Sequence, residues 1–348
     1  MIPPVGIVDL GTYEPKRFMT AAEISSAARI PEDVIVEKFG LVGKHVAGDG
    51  EHCSDMCIAA ARPVIERIGA DEIDAVVYFG SHWKDYAVWQ AAPRIQYALG
   101  IEGFALEAVN VSAGAPVALK VVSDMLRADE SLRSVLLVGA SRESHLIDFS
   151  NPRGRFMFTF GDGAVAAVLR RGHNENTVLG SSLYTDGSFS EQVRVPGGGS
   201  RYPASIETLN AGMHFLDVAD PADMKERLDP ITLKNFIRVS ADALERSGLE
   251  LTDVDLLLPI HMKRSIHDAL LRELGLRFEQ SVYLDHNGHM SAVDPLFSLS
   301  LARDAGRLEA GDVVLIVAAG TGYTWAATVI RWGADNSAEE IVSAASES

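Results

Sequence analysis

FALEAVNVSAGAPVALKVVSDMLRA (residues 104–128) holds the corner on which the fold turns. Its first part, FALEAVNVS (104–112), reads as a buried strand, and AGAPVALKVVSDMLRA (113–128) as a helix that follows directly. Outward from that corner the same alternation recurs. Upstream, VGIVDLGTY (5–13) and DAVVYFGS (74–81) suit strands, and helices are predicted over 21–30, 54–69 and 89–100, the last ending at Gly100. SVLLVGAS (134–141) and AVAAVLRR (164–171) add two strands. A second series repeats the rhythm: helix 230–248, strand 255–261, helix 265–276, strand 281–285, helix 290–306, then strands 312–320 and 325–332. Strands alternating with helices predict an α/β protein whose sheets are covered on both faces. The join between the two series, residues 170–230, is rich in Gly and Ser and is expected to be a functional or mobile connection.

Bulk properties narrow the function. Apolar residues make up 47% and charged residues 23% of the 348, an ordinary balance for a chain with a sizeable core. No apolar run approaches the roughly 20 residues that span a bilayer. MIPPVGIVDLGTYEP (1–15) has neither a basic leader nor a long apolar stretch, so a cytoplasmic location with no membrane partner is expected. The net charge of −17 argues against a nucleic-acid partner, which needs a basic surface. Cys53 and Cys57, four apart on a predicted helix, read as buried small residues; neither a disulfide nor a metal is expected.

Ser112 stands where the strand stops and the helix begins. A side chain there meets free N–H groups and the positive end of the helix dipole, which would favour a developing oxyanion. Serine is also one of the commonest N-caps, and the segment alone does not separate the two. The wider pattern does. NVSAGAP (110–116), FGDGA (160–164), DHNGHMSAVD (285–294) and GTGYTW (320–325) occur in this order, each after an apolar strand. Together they resemble the β-ketoacyl carrier-protein synthase III branch of the thiolase superfamily, over nearly the whole chain. The resemblance implies a thiolase fold: two pseudo-repeated βαβαβαββ halves in a five-layer αβαβα arrangement, usually a homodimer. The halves would be 1–170, carrying the nucleophile, and 171–334, carrying its partners; the polar acidic segment 335–348 is expected to be a disordered tail. It further implies that residue 112, normally cysteine, carries an acyl group. Gly322, in the glycine-rich turn, would share the oxyanion hole with the Ser112 amide.

Three departures shape the expected chemistry. A serine hydroxyl needs an adjacent base, whereas a thiolate largely activates itself. The family's PHQAN-like segment is here PIHMKRSI (259–266), so Ile260 occupies the histidine position and His261 falls one place off, on the opposite face of a strand. The asparagine of the family's GNTSA-like segment is replaced by His289, with Asp294 five residues later. Condensing members use the His and Asn to stabilise an enolate. The replacement suggests instead a relay in which Ser112 attacks, His289 exchanges protons and Asp294 orients the ring; His286 is a weaker candidate.

The same replacement looks like two subgroups: acyltransferases acting on hydroxyls or amines in antibiotic pathways, and serine-bearing priming ketosynthases of polyketide pathways. The expected function is therefore acyl transfer from a thioester through acyl-Ser112 to a small hydroxyl or amine acceptor in secondary metabolism. Decarboxylative condensation with malonyl-carrier protein, and a non-catalytic partner of an active ketosynthase, are the alternatives. No cofactor is implied beyond the thioester itself, on coenzyme A or on the phosphopantetheine of an acyl carrier protein or polyketide synthase. The family's adenine-stacking tryptophan aligns with Val34, which weakens coenzyme A as donor, and Arg153, Arg155, Lys263 and Arg264 could offer a basic docking patch to an acidic carrier. Trp83, Tyr86 and Trp89, with Ile260 and His261, are candidates for the substrate pocket, core packing being the plainer account of the aromatic three.

Overall fold

The computed structural model describes residues 2–334; the predicted tail 335–348 lies outside them. The first half runs β1 (Val5–Tyr13), α1 (Cys53–Ile68), β2 (Ala75–Tyr78), α2 (Ala91–Ala98), β3 (Phe104–Glu107), α3 (Gly114–Ala128), β4 (Ser134–Ser141), β5 (Gly163–Arg171). The second runs β6 (Glu175–Thr185), α4 (Asp229–Arg246), β7 (Leu256–Pro259), α5 (Arg264–Leu274), α6 (Asp294–Asp304), β8 (Val313–Gly320), β9 (Thr324–Ala334). These strands join in the order β3-β2-β4-β5-β1-β6-β9-β8-β7. The two halves of the sheet meet at the Gly6–Thr177 pair between β1 and β6, beside which Asn176 Nδ2 donates to Ile7 O (3.0 Å).

Three apolar clusters show why the layers form. The central one takes residues from both halves: Leu119 and Val122 of α3, Leu296 and Leu299 of α6, and inward residues such as Val77, Leu137, Ile316 and Ile330. A second packs α1 and α2 on the outer face of the first half, through Ala60, Val64, Ile95 and Val138. A third packs α4 and α5 on the outer face of the second, through Phe236, Leu270, Leu315 and Trp325. Helices outside, sheets within and two helices at the centre make the five layers. Each large apolar side chain fully buried there contributes about 1.5–3 kcal/mol. Among the described residues no helix is long and apolar enough to cross a membrane.

Several expectations need correction. The strand predicted over 104–112 ends at Glu107, and Val111, at a φ of 44°, rules out strand geometry as far as Ser112. The strand expected at 281–285 is a single bridge between Ser281 and Leu257; the chain turns away as the Asn287 and Gly288 amides donate to Leu284 O. The helix placed at 290–306 starts at Asp294, after a tight turn at Ser291–Val293. The join also hides an eleven-residue strand, β6, whose sequence ENTVLGSSLYT lacks a sustained apolar run. It forms because β9 pairs along it, from Thr324–Thr185 to Ala334–Glu175.

Candidate active site

β2, β3 and β4 are parallel, and Ser112 lies beyond their carboxyl ends, where open α/β sheets commonly bind ligands. The segment after β3 is held by Ala113 N–H to Asn110 O and Gly114 N–H to Val111 O, both 3.0 Å. The left-handed φ of Val111, a β-branched residue, stores local strain of about 1–3 kcal/mol. The glycine turn after β8 presses on this corner. A Cβ at Gly320 would stand 2.7 Å from Asn110 O and 2.8 Å from Ala113 N, so only glycine lets the two loops meet. Gly322, at φ 125°, faces open space on the side where a Cβ would project.

Ser112 does not cap α3. Ala113 holds the N-cap position, with no side-chain cap bond. The Ser112 hydroxyl, buried with its residue 5% exposed, instead sits 2.8 Å from His289 Nε2. His289 Nδ1 lies 2.6 Å from Asp294 Oδ2. A carboxylate only accepts, so Nδ1 carries the proton and Nε2 is left to accept from the serine.

His289 is fixed from several sides. Its N–H donates to Thr159 O (2.9 Å), its carbonyl accepts from Gly161 N–H (3.0 Å), and the Phe160 ring meets the imidazole edge-on at 4.8 Å. Gly288 makes this approach possible: its φ is 68°, and a Cβ there would fall 2.1 Å from Thr159 O. Buried Lys44 supports the segment that faces His289, donating through Nζ to Phe158 O (2.8 Å) and Phe160 O (2.6 Å), and burial pushes its ammonium down to about 7. Asp294, fully buried at the start of α6, also accepts from His261 N–H (2.7 Å, Oδ2) and Met290 N–H (2.6 Å, Oδ1). The first turn of a helix favours such a carboxylate. Burial disfavours the imidazolium of His289, but the charge and hydrogen bond of Asp294, with Glu143 behind, outweigh it and raise the pKa above the usual histidine value.

The other candidates are placed differently. Ile260 is buried in the cluster that includes Ala113 and Tyr323. His261 reaches the relay only through its backbone; its ring packs 5.1 Å from that of Tyr283, both ring nitrogens lack partners, and burial drives it down to about 3. His286 is exposed and pairs with Asp285 at 2.8 Å. Trp83 (38% exposed) and Tyr86 (69% exposed) lie at the surface, which excludes them from the core. Trp83 stacks on His145, and Trp89 meets Tyr86 edge-on at 5.4 Å and packs on the outer core of the first half. Val34 lines a small apolar cluster with Ile35 and Phe39. In the basic patch, Arg153 pairs with Asp217 and Arg264 with Asp268. Cys53 and Cys57 are buried on α1, and burial raises both thiols.

Asp162 was legible only as part of a glycine turn. It is fully buried and accepts from Ala47 N–H (2.8 Å), Ser144 N–H (3.0 Å) and Ser144 Oγ (2.6 Å), tying the segment that bridges to His289 through Phe160 to the loop after β4. Glu143, buried beside it, carried no sequence signal, because a charge in ASRES looks solvent-facing.

Comparison with known proteins agrees with this architecture. The family pattern described as 3-oxoacyl-[acyl-carrier-protein] synthase III matches residues 106–187, and that of its C-terminal part residues 244–332. The chain is 31% identical over 335 residues to the β-ketoacyl-[acyl-carrier-protein] synthase III of Rhodospirillum centenum, covering 94% of this chain and 98% of that one. It is 32% identical to the corresponding enzyme of Syntrophomonas wolfei, covering 95% and 98%. The crystal structure of β-ketoacyl-[acyl carrier protein] synthase III from Thermus thermophilus superposes with a TM-score of 0.81 at 28% identity, covering 95% of this chain and all of that one. With two layered half-repeats and facing corners at residues 112 and 289, the chain belongs to the β-ketoacyl-[acyl-carrier-protein] synthase III family of the thiolase fold.

Proposed function

We propose that the protein is an acyltransferase in which Ser112 carries the acyl group, His289 moves protons and Asp294 orients His289. The observation that carries this reading is the continuous chain Ser112 Oγ–His289 Nε2 (2.8 Å) and His289 Nδ1–Asp294 Oδ2 (2.6 Å). Ser112 Oγ attacks the thioester carbonyl as its proton passes to Nε2. The amides of Ser112 and Gly322 hold the oxyanion. Collapse expels the thiol, which takes the proton from His289. An acceptor hydroxyl or amine then gives its proton to Nε2, attacks the acyl carbonyl, and Ser112 leaves with the proton returned.

The donor is a carrier-protein or coenzyme A thioester, as acyl carrier protein appears in the names of the relatives. Val34 in place of a stacking aromatic favours the carrier protein. The acceptor is a small hydroxyl or amine of secondary metabolism, and the working unit is a homodimer. Intact-mass measurement after exposure to an acyl thioester tests the carrier step. An adduct on the native chain that is absent from Ser112→Ala supports it; an equal adduct on both overturns it.

The relatives' shared name favours a second reading, β-ketoacyl synthesis, which would run here as decarboxylative condensation of a starter acyl group with malonyl-carrier protein. His289-dependent CO₂ release from malonyl thioester would select it over acyl transfer. The unbroken relay weighs against a non-catalytic partner, which would form no adduct.

A further inference from the structure

Among the described residues Lys44 is the one lysine or arginine that is buried, 0% exposed on the short strand Gly43–Val46. Taking an ammonium out of water is costly unless hydrogen bonds replace its hydration, and Lys44 directs its donors at one place. Nζ donates to Phe158 O at 2.8 Å and to Phe160 O at 2.6 Å, so it grips the carbonyls on either side of Thr159. The Phe149 ring covers the ammonium at 5.2 Å from Nζ. Thr159, between those carbonyls, carries the next link. Its own carbonyl accepts from His289 N–H at 2.9 Å, Gly161 N–H donates to His289 O at 3.0 Å, and the Phe160 ring meets the imidazole edge-on. The strand that bears Lys44 is also tied to both neighbours through its backbone. Asp162 N–H donates to His45 O (2.9 Å), and Val42 N–H donates to Asp285 O (2.7 Å). Three segments far apart in the chain, at 42–47, 158–162 and 285–289, thus close on one another beside the histidine, and the Lys44 ammonium pins the first to the second.

We infer that Lys44 is a positioning residue for acylation: through Phe158 O and Phe160 O it fixes the segment that sets where the His289 imidazole stands relative to Ser112. Lys44 touches none of the reacting atoms. Its effect passes along a chain of bonds, from Nζ to the carbonyls flanking Thr159, from Thr159 O and Gly161 N–H to the His289 backbone, and from the imidazole to Ser112 Oγ at 2.8 Å. Asp294 holds the ring by its far nitrogen, and this clamp holds the backbone from which the ring projects. Bonds donated by a cation are roughly twice as strong as neutral ones, which suits an ammonium to a clamp that must not drift. Without Nζ two buried carbonyls lose a donor and the segment is free to shift. A misplacement of about 1 Å in a reacting group can cost about a hundredfold in rate.

This inference rests on acylation of Ser112. The test is single-turnover acylation of the full chain by an acyl N-acetylcysteamine thioester, read by intact mass, with the rate constant and the final amount of adduct recorded separately. Lys44→Met keeps the length of the side chain and removes its donors, and Lys44→Arg keeps both charge and donors. Lys44→Met is expected to slow the saturating rate constant about 10–100-fold with the half-saturating thioester concentration unchanged, and Lys44→Arg to regain most of the loss. A residue that serves only the fold would lower the melting temperature and the final adduct and leave the rate constant in place; that result overturns the inference. A second arm reads the route. In a Ser112→Cys background, where the thiolate leans less on the imidazole, Lys44→Met should cost about tenfold less; an equal cost in both backgrounds overturns action through His289. Should Lys44→Met not fold, Lys44→Gln, whose shorter amide cannot grip both carbonyls as the ammonium does, takes its place, and a native rate constant there is equally decisive. Absence of any adduct on the native chain would defeat the acyl-Ser112 reading, whereas a native adduct with an unmoved rate constant in the variants defeats only the role of Lys44.

Discussion

The corner after β3 and the corner before α6 occupy the same place in the two half-repeats, yet they carry opposite chemistry. Each leads from a short extended segment through a left-handed residue, Val111 at φ 44° or Ser291 at φ 54°, into one of the two central helices. The first corner, ALEAVNVSAG (105–114), has a single ionisable residue, Glu107, paired with Lys84. The second, DHNGHMSAVD (285–294), supplies an imidazole and a carboxylate within bonding distance. One slot thus presents a hydroxyl and the other makes it reactive. Symmetry of the backbone brings them together; asymmetry of the side chains makes the pair useful.

The sharpest way to break the pairing is His289→Ala. It should slow single-turnover acylation about 10²–10⁴-fold with the circular-dichroism spectrum unchanged. Undiminished acylation would show that the second corner is not the base. Ser112→Cys sharpens the same point, since a thiolate needs less help. The penalty for adding His289→Ala to Ser112→Cys should be about tenfold smaller than in the serine background, measured by the same assay.

The mechanical side of the second corner is probed by Gly288→Ala. Its Cβ would collide with Thr159 O at a φ of 68°, so a loss of about 2–4 kcal/mol in denaturant unfolding is expected. The pH dependence comes next. His289 must be neutral to act as base and its pKa is raised, so acylation should fall as pH drops through a value above 6.5. A limb below 6.5 would contradict the pairing with Asp294.

Buried His267, held down at about 4 with neither ring nitrogen hydrogen-bonded, works in the opposite sense on stability. The unfolded chain binds its proton below 6.5 and the folded chain does not. Stability is therefore lost as pH falls from 6.5 toward 4, by about 1.4 kcal/mol per unit for this residue. His267→Leu should flatten that slope in thermal melts. The smallest effect belongs to the first corner. Val111→Asn, which tolerates a left-handed backbone, should gain up to about 1 kcal/mol in unfolding free energy.

Most of the scaffold was legible because its signals are local. Apolar runs such as SVLLVGAS and DVVLIVAAG and the helix ending at Gly100 need no knowledge of the rest of the chain. β6 was not, because its pairing with β9 supplies what its own residues lack. The end of β3 at Glu107 was misplaced because the residues after it make a corner with Val111 left-handed, packed against a glycine turn more than two hundred residues away. At the site, Ser112, His289 and Asp294 could be named from their motifs, because the four motifs together tipped serine from helix cap to nucleophile; the 2.8 Å contact itself could not be read. Glu143, Lys44 and Asp162 were out of reach for a common reason. Each is a charged residue that looks solvent-facing in sequence and is buried by contacts between segments far apart in the chain.

The three bonds converging on Asp294 have a consequence for how this protein could change. Its two oxygens clasp the imidazole and also tie down the backbone at residues 261 and 290. Removing the acid would loosen a junction of three chain segments as well as the chemistry. Ser112, by contrast, spends its hydroxyl on a single neighbour. A descendant that abandons catalysis can discard the serine and keep its shape, and the aspartate would be the last of the three to go.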